Sequence, residues 1–164
     1  MLTVEGSPKA PGLKFAIVVS KFNDFVTERL QSGALEGLKA SGVLSDDICV
    51  IKVPGAFEIP FAAKEAASRG HFAAVVCLGC LIRGATAHFE YIASACAHGI
   101  TDASAATGVP MTFGVLTTNS VEEALERAAE GPANKGWEAA VAAVEMATLQ
   151  RSLRQPRTPD GVNV

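Results

Sequence analysis

The chain has 164 residues and a formal net charge of −3, which is the size of one ordinary domain. Apolar residues make up 49% of it and charged residues only 19%, so we expect a sheet buried on both faces or extensive subunit contact. Because no basic stripe accompanies the slightly acidic balance, nothing predicts nucleic-acid binding. The longest apolar run, "FAAVVCLGCLI", is too short for a bilayer span, so no membrane association is expected.

Four apolar runs alternate with helical patterns along the chain. In chain order, strands are predicted over 14–20, 47–53, 72–82 and 110–117, and helices over 24–41, 57–68, 88–107, 120–130 and 134–153. Continuous apolar runs rich in β-branched residues are typical of parallel strands that are buried on both faces. Strand–helix alternation therefore predicts an α/β fold of flavodoxin-like class, a three-layer α/β/α sandwich with a four-stranded parallel sheet.

The two ends of the chain differ from this core. Residues 1–13 contain "LTVEG", a short strand-like piece with no partner of its own, and form a predicted N-terminal arm. Residues 14–154 form the α/β domain. Residues 155–164 hold two prolines and few apolar side chains, so we expect a disordered tail.

The cysteines are interpreted as reduced thiols. Cys49, Cys77, Cys80 and Cys96 all lie in apolar sequence settings, where cysteine behaves as a small hydrophobic residue. Since no signal peptide opens the sequence, we expect a cytoplasmic protein. The motif "CLGC" suggests a redox or zinc site, but residues three apart in a strand point to opposite faces. No His/Cys/Asp cluster has metal-ligand spacing, so no metal is expected.

Candidate ligand-binding loops follow the four predicted strands. Ligands of open parallel sheets bind outside the carboxyl ends of the strands. The loops to be considered together are "KFND" (21–24), "PGAFEIP" (54–60), "RGATAH" (83–88) and "TTNS" (117–120). Polar and aromatic residues that gather at this edge of the sheet indicate a binding site.

The loop "RGATAH" carries the strongest signal. Gly84 permits a tight turn, and Ala85 and Thr86 open a helix whose free backbone N–H groups form an anion site, most commonly for phosphate. The alternative is that Thr86 only caps this helix. His88, in the first helical turn, is either a half-buried structural residue or an acid–base group, because histidine ordinarily titrates near neutral pH.

Two other loops contain residues with two interpretations each. Glu58 either complements the dipole of a helix that begins near Phe57, or binds a polar heterocycle or polyol together with the backbone of Ala56. Phe22 lies between polar residues in "SKFND". It is either a core aromatic or a ring that stacks on a flat ligand.

The basic residues near the last two helices are not distinctive by themselves. The spacing of Arg127 from Glu123 indicates an i,i+4 ion pair on a solvated face. Lys135, in "NKG", is compatible with a plain surface charge at a helix start. Neither residue alone predicts a site.

Five segments, in order and in spacing, resemble the lumazine synthase family of riboflavin biosynthesis. They are "VVSKFND", "VPGAFEIPFAAK", "GCLIRGATAHFEYI", "GVPMTFGVLTTNSVEEALERA" and "NKGWEAAVAAVEMATL", and the similarity spans residues from about 12 to 153. The resemblance implies condensation of 5-amino-6-(D-ribitylamino)uracil with 3,4-dihydroxy-2-butanone 4-phosphate. The implied products are 6,7-dimethyl-8-ribityllumazine, phosphate and water, and no cofactor or metal is involved.

The resemblance also implies a role for each site residue. Phe22 stacks on the pyrimidine ring, His88 moves protons and Arg127 is the counter-ion of the phosphate. Ala56, Phe57 and Glu58 are implied to bind the pyrimidine and the ribityl chain, and Cys80, Leu81 and Ile82 to supply backbone contacts. The phosphate is implied to bind at Ala85 and Thr86, and the pocket is completed by Phe113 and Lys135. In the family, Phe113, Arg127 and Lys135 come from the adjacent subunit. Arg83 is interpreted as structural, pairing with a nearby carboxylate.

The implied partner is the chain itself. Family members form pentamers, and some assemble into a 60-subunit icosahedral shell, while residues 1–13 add a strand to a neighbour's sheet. The linker "AAEGPANKG" (128–136) has the length of the shell-forming members, although Pro132 fixes a local angle.

Two alternatives to a catalyst remain open. A non-catalytic flavodoxin-like module would bind flavin mononucleotide tightly, without turnover. A shell-forming structural protein would carry a decayed site, and the presence of Phe22, Glu58, His88 and Arg127 argues against that decay.

Overall fold

A computed structural model describes residues 1–155 of the chain. Its sheet contains β1 (Phe15–Ser20), β2 (Ile48–Val53), β3 (Ala74–Ile82) and β4 (Met111–Thr118). All neighbouring strands pair in parallel in the order β2-β1-β3-β4. The predicted four-stranded parallel sheet is confirmed, and β2 and β4 are its two edges.

The helices follow the predicted alternation. They are α1 (Asp24–Ala40), α2 (Ile59–Ser68), α3 (His88–Thr107), α4 (Val121–Arg127) and α5 (Lys135–Arg154), with short 3-10 turns at Ser45–Asp47 and Ala56–Glu58. The helix predicted over 57–68 thus begins with a 3-10 turn. Helix α4 ends three residues before the predicted 130, because the Asn134 side chain takes the carbonyls of Ala128 and Ala129.

The pleat of the strands divides the core into two layers. Phe15, Ile17 and Val19 pack in one cluster with residues of α1 and α5. Ala16 and Val18 pack in a second cluster with residues of α2 and α3. Since successive side chains of a strand alternate between faces, both faces of the central strands are covered, which explains their continuous apolar sequences.

The same alternation separates the cysteines of "CLGC". Cys77 lies in the cluster under α2 and α3, whereas Cys80 lies in the cluster under α1 and α5. Burial raises the pKa of Cys80 to about 11, and of Cys96 to about 11, so these thiols stay protonated. The expectation of an apolar setting is wrong for Cys49, which is exposed on the edge strand β2. All four thiols are free.

Part of the N-terminal segment packs on its own domain. The N–H of Ser7 donates to Oγ1 of Thr148 (2.8 Å), and the N–H of Ala10, which is fully buried, donates to the carbonyl of Ser41 (3.0 Å). Residues 1–5 are exposed. The predicted disordered tail lies, from residue 156 onward, outside the described residues. Among the helices of residues 1–155, none is long and apolar enough to cross a membrane.

Candidate active site

The loops after β1, β2 and β3 enclose a cleft of about 780 Å³ at the carboxyl edge of the sheet, called the main cleft below. Eight of the sequence-predicted site residues line it: Phe22, Ala56, Phe57, Glu58, Leu81, Ile82, Thr86 and His88. Ala85 lies between two lining residues, Gly84 and Thr86, and Cys80 lies buried at the end of β3. The position of the cleft is the one expected for an open parallel sheet.

Phe22 stands at the rim of the main cleft with 68% of its surface exposed. Its N–H donates to the carbonyl of Pro54 (3.1 Å), which links the loop after β1 to the loop after β2. The next residue, Asn23, has a φ of 59° and donates from Nδ2 to the carbonyl of Cys80 (2.9 Å). The ring is therefore held on a tied-down loop and presented to solvent, which favours the stacking interpretation over the core one.

Glu58 closes the 3-10 turn that precedes α2. Its Oε2 accepts a hydrogen bond from the N–H of Gly55 (2.9 Å) in a capping-box arrangement. Ala56 is buried, and Phe57 is 61% exposed. This bond fixes the position of the carboxylate, and a carboxylate with one such bond still has lone pairs to offer a ligand.

The N-terminus of α3 opens onto the main cleft without a side-chain cap. The helix begins at His88, and its N-cap residue, Ala87, forms no side-chain hydrogen bond to the first turn, while the Glu90 carboxylate accepts a hydrogen bond from its own backbone N–H. The structure therefore does not support the alternative in which Thr86 serves only as a helix cap. Free N–H groups at the start of a 20-residue helix, together with its dipole, favour an anion.

Arg83 has the structural partners that the sequence suggested. Its Nη1 forms an ion pair with Oε1 of Glu90, and its Nε donates to Oδ1 of Asn119 (3.0 Å). Its guanidinium carbon lies 4.6 Å from the centre of the Phe89 ring. The predicted pairing with a nearby carboxylate is confirmed.

The remaining three predicted residues line a different cleft. Phe113, Arg127 and Lys135 surround a space of about 450 Å³ at the open β4 edge, beside α5, called the edge cleft below. Phe113 is 47% exposed there. The edge cleft shares no lining residue with the main cleft, so one chain does not bring the two sets of residues together.

The expected ion pair between Arg127 and Glu123 is not formed. Nη1 of Arg127 donates to the backbone carbonyl of Glu123 (3.0 Å), because the Glu123 carboxylate accepts the N–H of Asn119 (2.9 Å). Within residues 1–155, Arg127 has no carboxylate partner. Lys135, by contrast, pairs with Glu138 (2.7 Å).

Sequence reasoning missed four residues of the main cleft and its frame. Phe89, Tyr91 and Ile92 line the cleft from α3, and Asn23 ties the Phe22 loop to β3. The spacing of Tyr91 and Ile92 from His88, three and four residues on a helix, puts them on one face and was an available signal. Asn23 was detectable as one of the few residue types that adopt a left-handed backbone readily.

The main cleft therefore combines groups that suit a flat, polar ring joined to an anion. It offers an exposed aromatic ring, a fixed carboxylate, an imidazole and an uncapped helix N-terminus. Within the described residues, no group of three His, Cys, Asp or Glu side chains is placed to hold a metal ion.

Two comparisons with known proteins give the same result. The family model described as 6,7-dimethyl-8-ribityllumazine synthase matches residues 12–151. A protein of Syntrophus aciditrophicus (strain SB) with the name 6,7-dimethyl-8-ribityllumazine synthase is 53% identical over 149 residues. That similarity covers 91% of this chain and 97% of the relative.

Proposed function

Because this chain belongs to the 6,7-dimethyl-8-ribityllumazine synthase family, we propose that it catalyses the condensation for which the family is named. It is a transferase that joins 5-amino-6-(D-ribitylamino)uracil to 3,4-dihydroxy-2-butanone 4-phosphate. The products are 6,7-dimethyl-8-ribityllumazine, phosphate and water, and the reaction is the penultimate step of riboflavin biosynthesis. The observation that carries the proposal is the main cleft, where a stacking ring, a fixed carboxylate and an uncapped helix N-terminus lie together.

The pyrimidine is proposed to bind at the Phe22 side of the main cleft. Its ring stacks on Phe22, whose exposure and backbone bond to Pro54 support this role. Ala56, Phe57 and Glu58 contact the ring and the ribityl chain. Cys80, Leu81 and Ile82 contribute backbone groups at the end of β3.

The phosphate is proposed to bind at the N-terminus of α3. The loop of Ala85 and Thr86 leads into that terminus, whose N-cap residue forms no side-chain hydrogen bond to the first turn. Arg127 supplies the counter-charge, since a guanidinium can form paired bonds with phosphate oxygens. Within residues 1–155, no carboxylate of the same chain forms an ion pair with Arg127.

His88 is proposed to move the protons of the reaction. The amine of the pyrimidine attacks the ketone carbonyl, and loss of water gives an imine. Phosphate is then eliminated to leave an enol, which tautomerises to a ketone, and attack of the ribitylamino nitrogen on that ketone closes the ring with loss of a second water. Each step transfers a proton, and an imidazole beside the phosphate serves such transfers, while the cleft contributes by holding two reactive substrates together.

A complete site is proposed to need two chains. Phe113, Arg127 and Lys135 lie at the open β4 edge, away from the main cleft of their own chain. A neighbour docked against that edge would receive them in its main cleft. This placement supports the pentamer, and the length of the segment from Arg127 to Lys135 supports assembly of pentamers into a shell.

The N-terminal arm and the cellular location complete the proposal. Leu2 and Val4 are exposed, and β2 is an exposed edge, so a neighbour's first residues are proposed to pair with β2. The four free thiols support a reducing, cytoplasmic location.

The test of the proposed function is product formation. Purified protein is incubated with both substrates, and the fluorescence of the lumazine and the released phosphate are measured in parallel. Equal amounts of both, with neither formed when one substrate is omitted, are expected. A protein that is purified yellow with bound flavin mononucleotide and forms no lumazine would instead support the flavodoxin-like alternative.

A further inference from the structure

The side chain of Arg83 joins three elements at the mouth of the main cleft. It leaves the end of β3 and forms an ion pair with Glu90 in the first turn of α3. Its Nε donates to Asn119 in the loop between β4 and α4 (3.0 Å), and its guanidinium lies over the ring of Phe89 (4.6 Å). The backbone N–H of Arg83 donates to the carbonyl of Thr118 (2.8 Å). One residue therefore connects the cleft loop, α3 and the next loop.

Arg83 contacts the N-terminal turn of α3, which has no side-chain cap within residues 1–155 to stabilise it. The first turn of α3 has no side-chain cap in the described chain, and uncapped helix ends fray. A cap would occupy the N–H groups that the phosphate is proposed to use. Arg83 instead holds the turn through Phe89 and Glu90, and the N-cap position keeps no side-chain bond in the described chain.

Arg83 also neutralises the charge of Glu90. A carboxylate in the first turn of α3 would repel an anion bound at the same terminus. Hydrogen bonding to its own backbone N–H, and then the bond and charge of Arg83, lower the pKa of Glu90, so the carboxylate stays ionised near neutral pH. Arg83 neutralises that charge at close range.

Asn119 fixes the far end of this connection. Its N–H donates to Oε2 of Glu123 (2.9 Å), in the first turn of α4. Arg83 is thus held to the frame of the sheet rather than to a free loop.

We infer that Arg83 is a positioning residue for the phosphate-bearing substrate. It holds the first turn of α3 so that the free N–H groups and His88 meet the substrate, and it does not itself touch the substrate. This inference rests on the proposed function, because it assigns the first turn of α3 to the phosphate.

The kinetic test compares Arg83→Met, Arg83→Lys and the control Arg69→Ala. Methionine keeps much of the packing over Phe89 but loses the charge and the hydrogen bonds, while Arg69 is an exposed arginine at the far end of α2. For Arg83→Met we expect the KM of the phosphorylated substrate to rise about tenfold, since small misplacements of positioning groups are costly. The KM of the pyrimidine should change by less than about twofold, because its proposed contacts lie on the loops after β1 and β2 and on the hydrogen-bonded backbone of β3 rather than on α3. Arg83→Lys should recover part of the loss, and equal KM values in Arg83→Met and Arg69→Ala would overturn the inference.

A double substitution separates positioning from direct phosphate binding. If Arg83 acts through α3, adding Glu90→Gln to Arg83→Met removes an unneutralised carboxylate and does not raise the KM further. If Arg83 bound the phosphate itself, Arg83→Met would raise the KM as much in the Glu90→Gln background as in the wild type, and such additivity would contradict the inference.

Hydrogen exchange of the unliganded protein gives a readout that does not depend on turnover. The amides of residues 91–94 should exchange faster in Arg83→Met than in Arg69→Ala, with little change in Tm, because exposed ion pairs contribute little stability. Wild-type protein that forms no lumazine would refute the proposed function, and the exchange data would then decide on Arg83 alone. If Arg83→Met exchanges faster but keeps the KM of an active enzyme, Arg83 is purely structural and the inference is wrong. If its amide exchange is unchanged, Arg83 does not stabilise the first turn of α3, and the inference is also wrong.

Discussion

His88 combines three properties that a proton-transfer residue needs. It is exposed, it lines the main cleft, and it opens the helix at which the phosphate is proposed to bind. His98 lies on the same helix but bonds to Ser94 on the outside of the domain. The two histidines therefore form a natural pair for comparison.

Replacing His88 by alanine should slow turnover by on the order of 10²-fold or less, because acid–base catalysis contributes about 10²–10⁴ and the substrates are reactive by themselves. The pH dependence of kcat should flatten as well, while fold and assembly should persist. Steady-state kinetics across the pH range measure both effects, with His98→Ala as the control. A His88→Ala enzyme with wild-type rates at every pH would remove this residue from the mechanism.

The linker between α4 and α5 depends on the buried side chain of Asn134, which is 3% exposed. Its Oδ1 accepts the N–H of Gly136 (2.8 Å), and its Nδ2 donates to the carbonyls of Ala128 and Ala129 (3.1 Å each). A Cβ at Gly136 would overlap the Leu30 carbonyl, so α5 starts in close contact with α1. Asn134 thereby sets where the helices that carry Arg127 and Lys135 end and begin.

Asn134→Ala should lower the free energy of unfolding by about 2–3 kcal/mol, since it leaves several buried backbone groups without partners. Ser120→Ala is the matched control, because Ser120 caps α4 through one bond to the N–H of Glu123 (3.2 Å). Its expected cost is about 1 kcal/mol. Denaturant unfolding of both variants measures the difference, and equal losses would show that the Asn134 network adds nothing beyond an ordinary cap.

The elements were predictable from sequence where local periodicity dominates. The strands and long helices follow their apolar patterns closely, and "CLGC" divides between the two faces as alternation requires. Three details depended on individual side-chain bonds or on strand order, which periodicity does not reveal, and were not predictable. Helix α4 ends where Asn134 donates to the backbone carbonyls that follow it. Arg127 does not pair with Glu123, because the Glu123 carboxylate accepts the N–H of Asn119. Cys49 is exposed because β2 is an edge strand.

The candidate site was predictable only in part, for a similar reason. Loops that follow the strands of a parallel sheet must meet at one edge, so Phe22, Glu58 and His88 could be grouped from sequence alone. Periodicity does not tell which residues a chain offers to another chain. Phe113 and Arg127 were therefore assigned by family resemblance, and their place at the open β4 edge supports that assignment.

At the scale of the whole molecule, the separation of the two clefts supports the proposal that a complete site needs two chains. If each complete site takes His88 from one chain and Arg127 from the next, two different damaged chains can repair each other. Co-expression of His88→Ala and Arg127→Ala chains in equal amounts should give mixed pentamers in which roughly a quarter of the sites are intact. Sites built within one chain would regain nothing.

The measurement is lumazine formation by the mixed assemblies, compared with each variant alone and with the two variants purified separately and then combined. Electron microscopy and light scattering of the same samples report the assembly, for which we expect pentamers joined into a closed shell. Pentamers that stay free at working concentration would refute the shell but not the shared site. Recovery absent from well-formed mixed pentamers, or a monomer that turns over both substrates, would refute the shared site, because either result requires every catalytic group to come from one chain.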